Sequence, residues 1–248
     1  MCVDNFLRYI TATAYVLIST SAYSAVTLDR TRIVFNGSNS SVSIAIQNKN
    51  QDIPFLAQAW LENAIHEKVK SPFMVIPPIQ RLEPTQSSQI RIEVLEKKID
   101  ALPQDRESLF YFNLRELPPK SDKPNILQFA LQNKLKLFYR PTPIVMSSNE
   151  ILKNPWQEKL EIIKKDNKAI AKNPTPYFTT ILSVQSQNAN QNLVSQSLMI
   201  APFSEAELSI NAQDLGEFPT LTYINDLGGT PKIKYQCHID ICQKLESQ

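Results

Sequence analysis

The sequence contains little glycine: 4 of its 248 residues are glycine, whereas 17 are proline. Loops that bind phosphate groups through their backbone need several closely spaced glycines. The composition therefore argues against a nucleotide-binding site of that kind. Abundant proline suits the turns and edge strands of an all-β protein.

The sequence also lacks a long hydrophobic run. Residues 11–20 are mostly apolar and small, but they are too few to cross a bilayer as a helix. They are followed by Ser21-Ala22-Tyr23-Ser24, and small residues at 22 and 24 suit cleavage by signal peptidase. We predict a signal peptide over residues 1–24 and an exported, soluble mature chain that begins at Ala25.

Residue patterns typical of catalysis are missing. The two histidines, His66 and His238, lie in no nucleophile or metal-binding motif, and no pair of acidic residues stands out as a catalytic dyad. The net charge is +2 with both signs interspersed, which gives no nucleic-acid footprint. We predict that the protein is not an enzyme, has no metal site or cofactor, and does not bind nucleic acid.

Cysteine is rare, with three in the chain, and Cys2 would leave with the signal peptide. Cys237 and Cys242 are separated by four residues, and their flanks resemble strands. Across a hairpin the two sulfurs could meet, and an oxidising compartment would keep them bonded. A zinc site would need four well-placed ligands, and two cysteines with one nearby histidine fall short of that number.

Short strand-like segments recur along the chain at the spacing typical of β-sandwiches, and no long amphipathic helix is indicated. The Asn36-Gly37 turn signal predicts a hairpin between Val26–Phe35 and the alternating segment Val42–Ile46. In the segment Phe55–Glu62, Trp60 is the expected core aromatic.

Leu137–Pro143 is the predicted domain boundary, because its residues 140–143, Arg-Pro-Thr-Pro, would break any regular element. Glu158–Asp166 fits either a strand or a short helix. We predict an all-β protein of two sandwich domains, over residues 25–143 and 144–248.

The most informative region runs from Asp105 to Pro141. Leu109–Leu114 reads as a buried strand, and Asn125–Leu131 alternates large apolar residues with small or polar ones. Such alternation usually buries its apolar face in the core. The alternative is an edge strand whose free backbone groups and apolar side chains serve a partner. The spacing alone favours the core.

This region resembles the first domain of the PapD-like periplasmic pilus (fimbrial) assembly chaperones, and the resemblance extends over nearly all of the mature chain. The short interval between Leu117 and Asn125 resembles the short-loop branch of that family. The resemblance implies two immunoglobulin-like β-sandwich domains set at an angle, with a cleft between them. It also implies a periplasmic chaperone that donates a β-strand to incomplete pilus subunits (pilins and adhesin) and delivers them to an outer-membrane usher.

The resemblance also assigns roles to individual residues. Arg32 and Lys136 match the positions that anchor the terminal carboxylate of the pilin, although Arg30 lies on the same predicted strand face. The predicted donor strand presents four residues to the pilin groove: Asn125, Leu127, Phe129 and Leu131. Of these, Phe129 is bulkier than the aliphatic residue expected there, which would alter subunit preference.

Three further residues match an interdomain salt-bridge cluster: Glu107, Arg140 and Asp226. Considered alone, these three residues would be surface charges, and exposed ion pairs contribute only about 0–1 kcal/mol to stability. We therefore expect them to orient the domains and not to be major stabilisers.

The alternative from a different class is a structural β-sandwich protein, such as a pilin or adhesin. A pilin would need a donor extension at its mature N-terminus, but Ala25 leads almost directly into strand-like residues. A secreted hydrolase would need a pocket motif that the sequence does not contain. For the chaperone, an open apolar edge would make self-association plausible when no subunit is bound.

Overall fold

The computed structural model describes residues 25–122, 125–186, 193 and 196–245, without the side chains of residues 96 and 97. The predicted signal peptide lies outside these residues. Within them, no helix combines the length and apolar character needed to span a membrane.

The first domain is a sandwich of two sheets. Its strands are β1 (Val26–Leu28), β2 (Arg32–Asn36), β3 (Ser41–Asn48), β4 (Phe55–Glu62), β5 (Lys68–Val69), β6 (Phe73–Ile76), β7 (Ile79–Leu82), β8 (Ser87–Val94), β9 (Ser108–Leu117) and β10 (Gln132–Arg140). One sheet has the strand order β1-β3-β8-β6; the other has the order β2-β10-β9-β4-β5, with β7 also pairing with β4.

The strands of the second domain are β11 (Glu161–Lys165), β12 (Lys168–Asn173), β13 (Thr179–Gln185), β14 (Leu198–Ile200), β15 (Ser204–Asn211), β16 (Thr220–Ile224), β17 (Lys232–Cys237) and β18 (Ile241–Lys244). They follow the order β14-β13-β16-β17-β18-β11-β12-β15 around a core of their own. The chain is therefore an all-β protein with two β-sandwich domains, as predicted.

The helical elements within the described ranges are short. They are α1 (Glu96–Ile99), α2 (Ser148–Lys153) and two 3-10 helices (Thr142–Ile144 and Trp156–Lys159). Buried apolar side chains from Val26 to Tyr139 form the first core, and those from Leu160 to Cys242 form the second. The two separate cores agree with the predicted two domains. The exact boundary between them at residue 143 stays a prediction.

The predicted hairpin around Asn36-Gly37 is wrong. Residues 29–31 interrupt the expected first strand, so that β1 pairs with β3 in one sheet while β2 pairs with β10 in the other. The Asn36-Gly37 step therefore carries the chain between sheets. Gly37 is required there because an added Cβ would lie 2.8 Å from the backbone nitrogen of Thr142.

Two other expectations need correction. Trp60 is half-buried on the outer face of β4, between the cations of Lys68 and Arg115, because its neighbours Ala59 and Leu61 occupy the core side. The segment Asn125–Leu131 is not a paired strand, since β10 begins at Gln132. The ambiguous segment after Pro155 is a 3-10 turn followed by strand β11.

Candidate functional site

Strands β2 and β10 bring Arg32 and Lys136 together. The two strands run parallel, and Arg32 and Lys136 are directly opposed in their register. Neighbouring strands lie about 4.8 Å apart, so the two cationic side chains lie side by side on the sheet. We refer to Arg32 and Lys136 as the cation pair.

The structure distinguishes Arg32 from Arg30, which the sequence could not do. Arg30 precedes β2 and forms an exposed two-point contact with Asp29, at 2.8 Å and 2.7 Å. Arg32 is the first residue of β2 and is half-buried. Its guanidinium donates one long hydrogen bond, 3.4 Å, to the carbonyl of Ile224 in the second domain. Of these two arginines, Arg32 is therefore the one that contacts the second domain.

The cation pair has little neutralising charge around it. Among the described residues, the Nε atom of Arg32 is buried without a hydrogen-bond partner, and Lys136 forms no ion pair. Burial lowers the pKa of Arg32, although the charge of Asp226 opposes this shift. Burial, and then repulsion from Arg32, lower the pKa of Lys136. Two partly desolvated cations in this arrangement favour an incoming anion.

The residues before β10 form an exposed apolar segment, which we call the apolar segment (125–131). Leu127 is 76% exposed, Phe129 71% and Leu131 44%. These side chains are therefore not part of the core, although spacing alone favoured that interpretation. Asn125, at the start of the segment, is also exposed and has a positive φ of 58°.

Gln128 holds the apolar segment against the preceding connection. Its side-chain nitrogen donates to the carbonyl of Pro119 at 2.7 Å, and its side-chain oxygen accepts from the amide of Ser121 at 3.4 Å. At the other end, the amide of Glu116 donates to the carbonyl of Leu131 at 2.9 Å. The segment is tied to the domain at two points while Leu127 and Phe129 stay in solvent.

Glu107, Arg140 and Asp226 meet at the junction of the domains. Arg140 donates two hydrogen bonds to Oε1 of Glu107, at 2.9 Å and 2.7 Å, and one to Asp226 at 3.1 Å. The amide of Phe178 donates to the second oxygen of Glu107 at 2.8 Å. The cluster therefore joins the first domain to the second at two points, through the bond from Phe178 to Glu107 and the bond from Arg140 to Asp226.

This cluster is buried, which corrects the expectation of surface charges. The side chains of Arg140 and Glu107 are each 2% exposed, and that of Asp226 is 21% exposed. Burial opposes the charge of Arg140, but attraction to the two carboxylates outweighs it and raises the pKa of Arg140. Burial also raises the pKa of Glu107 to about 7, against the opposing effect of Arg140.

Two aromatic residues that sequence reasoning missed complete this cluster. The rings of Trp156 and Tyr177 lie 4.8 Å and 4.9 Å from the guanidinium carbon of Arg140. Such cation–π contacts stabilise a desolvated guanidinium. No sequence signal identifies these residues, because they reach Arg140 only once the second domain has folded.

The predicted disulfide is confirmed. Cys237 and Cys242 are bonded across the β17–β18 hairpin, where they are directly opposed. In the described ranges, no group of three or more histidine, cysteine, aspartate or glutamate side chains is arranged to hold a metal ion.

Comparison with known proteins identifies the family of both domains. Residues 25–145 match the family model described as "Pili and flagellar-assembly chaperone, PapD N-terminal domain". Residues 155–235 match "Pili assembly chaperone PapD, C-terminal domain". Together the two models cover most of the chain.

Individual relatives agree with this match. The chain is 43% identical over 227 residues to chaperone protein PapD of Escherichia coli, covering 91% of this chain and 92% of PapD. It is 41% identical over 224 residues to chaperone protein PmfD of Proteus mirabilis, covering 89% and 86% respectively. A chain in the structure of the Salmonella enterica SafA pilin in complex with the SafB chaperone has the same fold. That match has a TM-score of 0.72 and 24% identity, and covers 88% of this chain and 99% of that chain.

The two domain models and the relatives above 40% identity decide between the chaperone and the structural protein. The chain belongs to the PapD family of pilus-assembly chaperones.

Proposed function

We propose that this chaperone acts in the periplasm, where it binds incomplete pilus subunits by adding a β-strand to them and anchoring their terminal carboxylate. The observation that carries the proposal is the position of the cation pair. Arg32 lies at the start of β2, and Lys136 lies opposite it on β10, the strand that follows the exposed apolar segment (125–131).

The anchor follows from electrostatics. A carboxylate between Arg32 and Lys136 would accept charge-assisted hydrogen bonds, each contributing about 1.5–3 kcal/mol. It would also supply a partner for the buried Nε atom of Arg32 and relieve the repulsion between the two cations. A terminal carboxylate suits this site because β2 occupies the position beside β10 from Arg32 onward. A partner strand in the same position must therefore end at Arg32.

The backbone pairing follows from the register. β2 pairs with residues 136–140 of β10, so that among the described residues no strand pairs with 125–135 on that side. A partner strand in this position would be collinear with β2 and end at Arg32. It would therefore run parallel to β10. A strand added to a free edge gains backbone hydrogen bonds along its whole length.

The apolar segment supplies specificity. Leu127, Phe129 and Leu131 alternate, so their side chains recur about every 6.6 Å along an extended chain. An incomplete β-sandwich presents a groove with the same repeat. The terminal anchor sets the register of the pairing, because a slip of one residue would turn each apolar side chain to the wrong face.

The cellular setting completes the proposal. The expected signal peptide and the disulfide fit an oxidising periplasm. We propose that the bound subunit is passed to an outer-membrane usher, and that no enzymatic step or cofactor is involved. Without a subunit, the apolar segment could pair with a second copy of the chain.

Co-expression in a bacterial periplasm with a candidate pilin, followed by co-purification, tests the proposal. We expect a one-to-one complex with the parent chain, and its loss with Arg32→Ala or Lys136→Ala. Arg30→Ala is the matched control, because Arg30 is two residues from Arg32 in the sequence but forms its ion pair with Asp29.

The outcomes separate two claims. Complexes that survive both Arg32→Ala and Lys136→Ala would contradict the anchor. Loss of the complex with Arg30→Ala would show that general positive charge, rather than the cation pair, drives binding. A chain with Leu127, Phe129 and Leu131 all replaced by serine that still binds subunits would contradict the role of the apolar segment.

A further inference from the structure

The loop between β16 and β17 carries the most exposed large apolar side chain among the described residues. Leu227 is 90% exposed. Single exposed leucines are common on protein surfaces, so exposure alone assigns no role. The loop that presents Leu227, residues 224–229, is distinguished by its rigidity and by its contacts with the first domain.

The 224–229 loop is held by its own hydrogen bonds. The side-chain oxygen of Asn225 accepts from the amides of Leu227 at 3.1 Å and Gly229 at 2.8 Å. The backbone of Asn225 also pairs with Gly228 and Gly229, at 3.0 Å in each case. An apolar side chain on a loop fixed in this way loses little conformational freedom when a partner covers it.

Three contacts hold the loop against the first domain beside the cation pair. The carbonyl of Ile224 accepts from Arg32, and Asp226 pairs with Arg140. Gly228 has a φ of +83°, and an added Cβ there would lie 2.6 Å from the hydroxyl of Thr31. Leu227 therefore lies between two positions, 226 and 228, that both touch the first domain.

We infer that Leu227 is a specificity-determining contact for the carboxyl-terminal residue of the bound subunit. The inference rests on the proposed function, which places the terminal carboxylate on the cation pair. The side chain of a terminal residue branches one atom from its carboxylate carbon. It must lie near the groups around Arg32, and the loop that contacts Arg32 through the carbonyl of Ile224 also presents the exposed side chain of Leu227. The contact favours subunits that end in a large apolar or aromatic residue.

Peptide binding tests this inference. The probes are twelve-residue peptides that alternate apolar and polar residues and end in either phenylalanine or serine, each with a free or an amidated terminus. Burying such a side chain against Leu227 should give the parent chain about a tenfold preference for phenylalanine over serine. We expect Leu227→Ser to reduce that preference to less than about twofold while leaving the dependence on the free carboxylate intact.

Ile239→Ser is the matched control. Ile239 is 89% exposed and lies in the turn between β17 and β18, away from the contacts with the first domain. A full preference retained by Leu227→Ser, or the same loss in Ile239→Ser, would overturn the inference. A parent chain that ignores amidation, or binds none of the peptides, would contradict the proposed function and the inference with it. Carboxylate dependence without side-chain preference would contradict the inference alone.

Discussion

Lys136 and Arg140 lie four residues apart on the same strand, yet their surroundings are opposite. Arg140 is enclosed by two carboxylates and two aromatic rings. Lys136 faces another cation, Arg32, and has no ion-pair partner among the described residues. Buried charges normally require compensation within the protein. We interpret the compensated cation as structural and the uncompensated pair as a site completed by a ligand.

The largest expected effect concerns the compensated cation. Arg140→Ala should lower the free energy of unfolding by about 3–5 kcal/mol, because it leaves the carboxylate of Glu107 buried without its partner. Urea denaturation of the purified mature chain measures this loss. Arg106→Ala serves as the control, since Arg106 forms an exposed pair with its neighbour Asp105. A loss of unfolding free energy below about 1 kcal/mol is what an exposed ion pair would give. It would contradict the interpretation of Arg140 as a buried structural cation.

Subunit affinity should show the reverse pattern. Arg32→Ala or Lys136→Ala should weaken subunit binding by about 10- to 150-fold, which corresponds to the loss of one charge-assisted interaction. Neither change should lower the melting temperature. Titration calorimetry with a purified subunit and thermal unfolding of the free variants give the two readouts. Loss of affinity that is caused by unfolding of the variant would contradict the assignment of the cation pair as a ligand site.

A smaller effect follows from repulsion within the cation pair. Lys136→Gln should raise the stability of the free protein by about 0.2–1 kcal/mol, because like charges directly opposed on neighbouring strands are destabilising. Urea denaturation of the free chain measures the gain, and high salt should shrink it. A clear loss of stability would indicate that Lys136 is compensated after all.

A separate effect on the stability of the buried cluster depends on pH. Burial raises the folded-state pKa of Glu107 to about 7, above its ordinary value. The stabilising contribution of this group is therefore full below the unfolded-state pKa of about 4.3 and is lost as the pH rises through 7. Relative to Glu107→Gln, the parent chain should become less stable between pH 5 and pH 8. An unchanged difference across that range would show that Glu107 is ionised throughout.

Local patterns predicted strands such as Phe55–Glu62 and the region Leu109–Leu114 within β9, because alternation and apolar runs act within a few residues. They failed where a distant segment decides the pairing. Asn36-Gly37 indicated a hairpin, but the pairing of β2 with β10 overrides that signal. The segment Asn125–Leu131 alternates like a strand yet lacks a ladder, which fits a segment whose partner is another molecule.

The resemblance predicted which charged residues meet at the domain junction, but not that they are buried. The resemblance grouped Glu107, Arg140 and Asp226, but burial of the cluster depends on rings from the second domain, Trp156 and Tyr177. The choice of Arg32 over Arg30 depends on where β2 begins and on the contact between Arg30 and Asp29. The burial of the cluster and the contacts of the two arginines depend on the folded structure, so the sequence does not show them.

The most direct test of the central claim is the pKa of the Lys136 ammonium group, measured by NMR in the free chain and in a complex with a pilus subunit. We expect a pKa below the ordinary lysine value in the free chain, and an upward shift in the complex as the subunit carboxylate neutralises the cation pair. A complex that forms without changing this pKa would show that the carboxylate binds elsewhere.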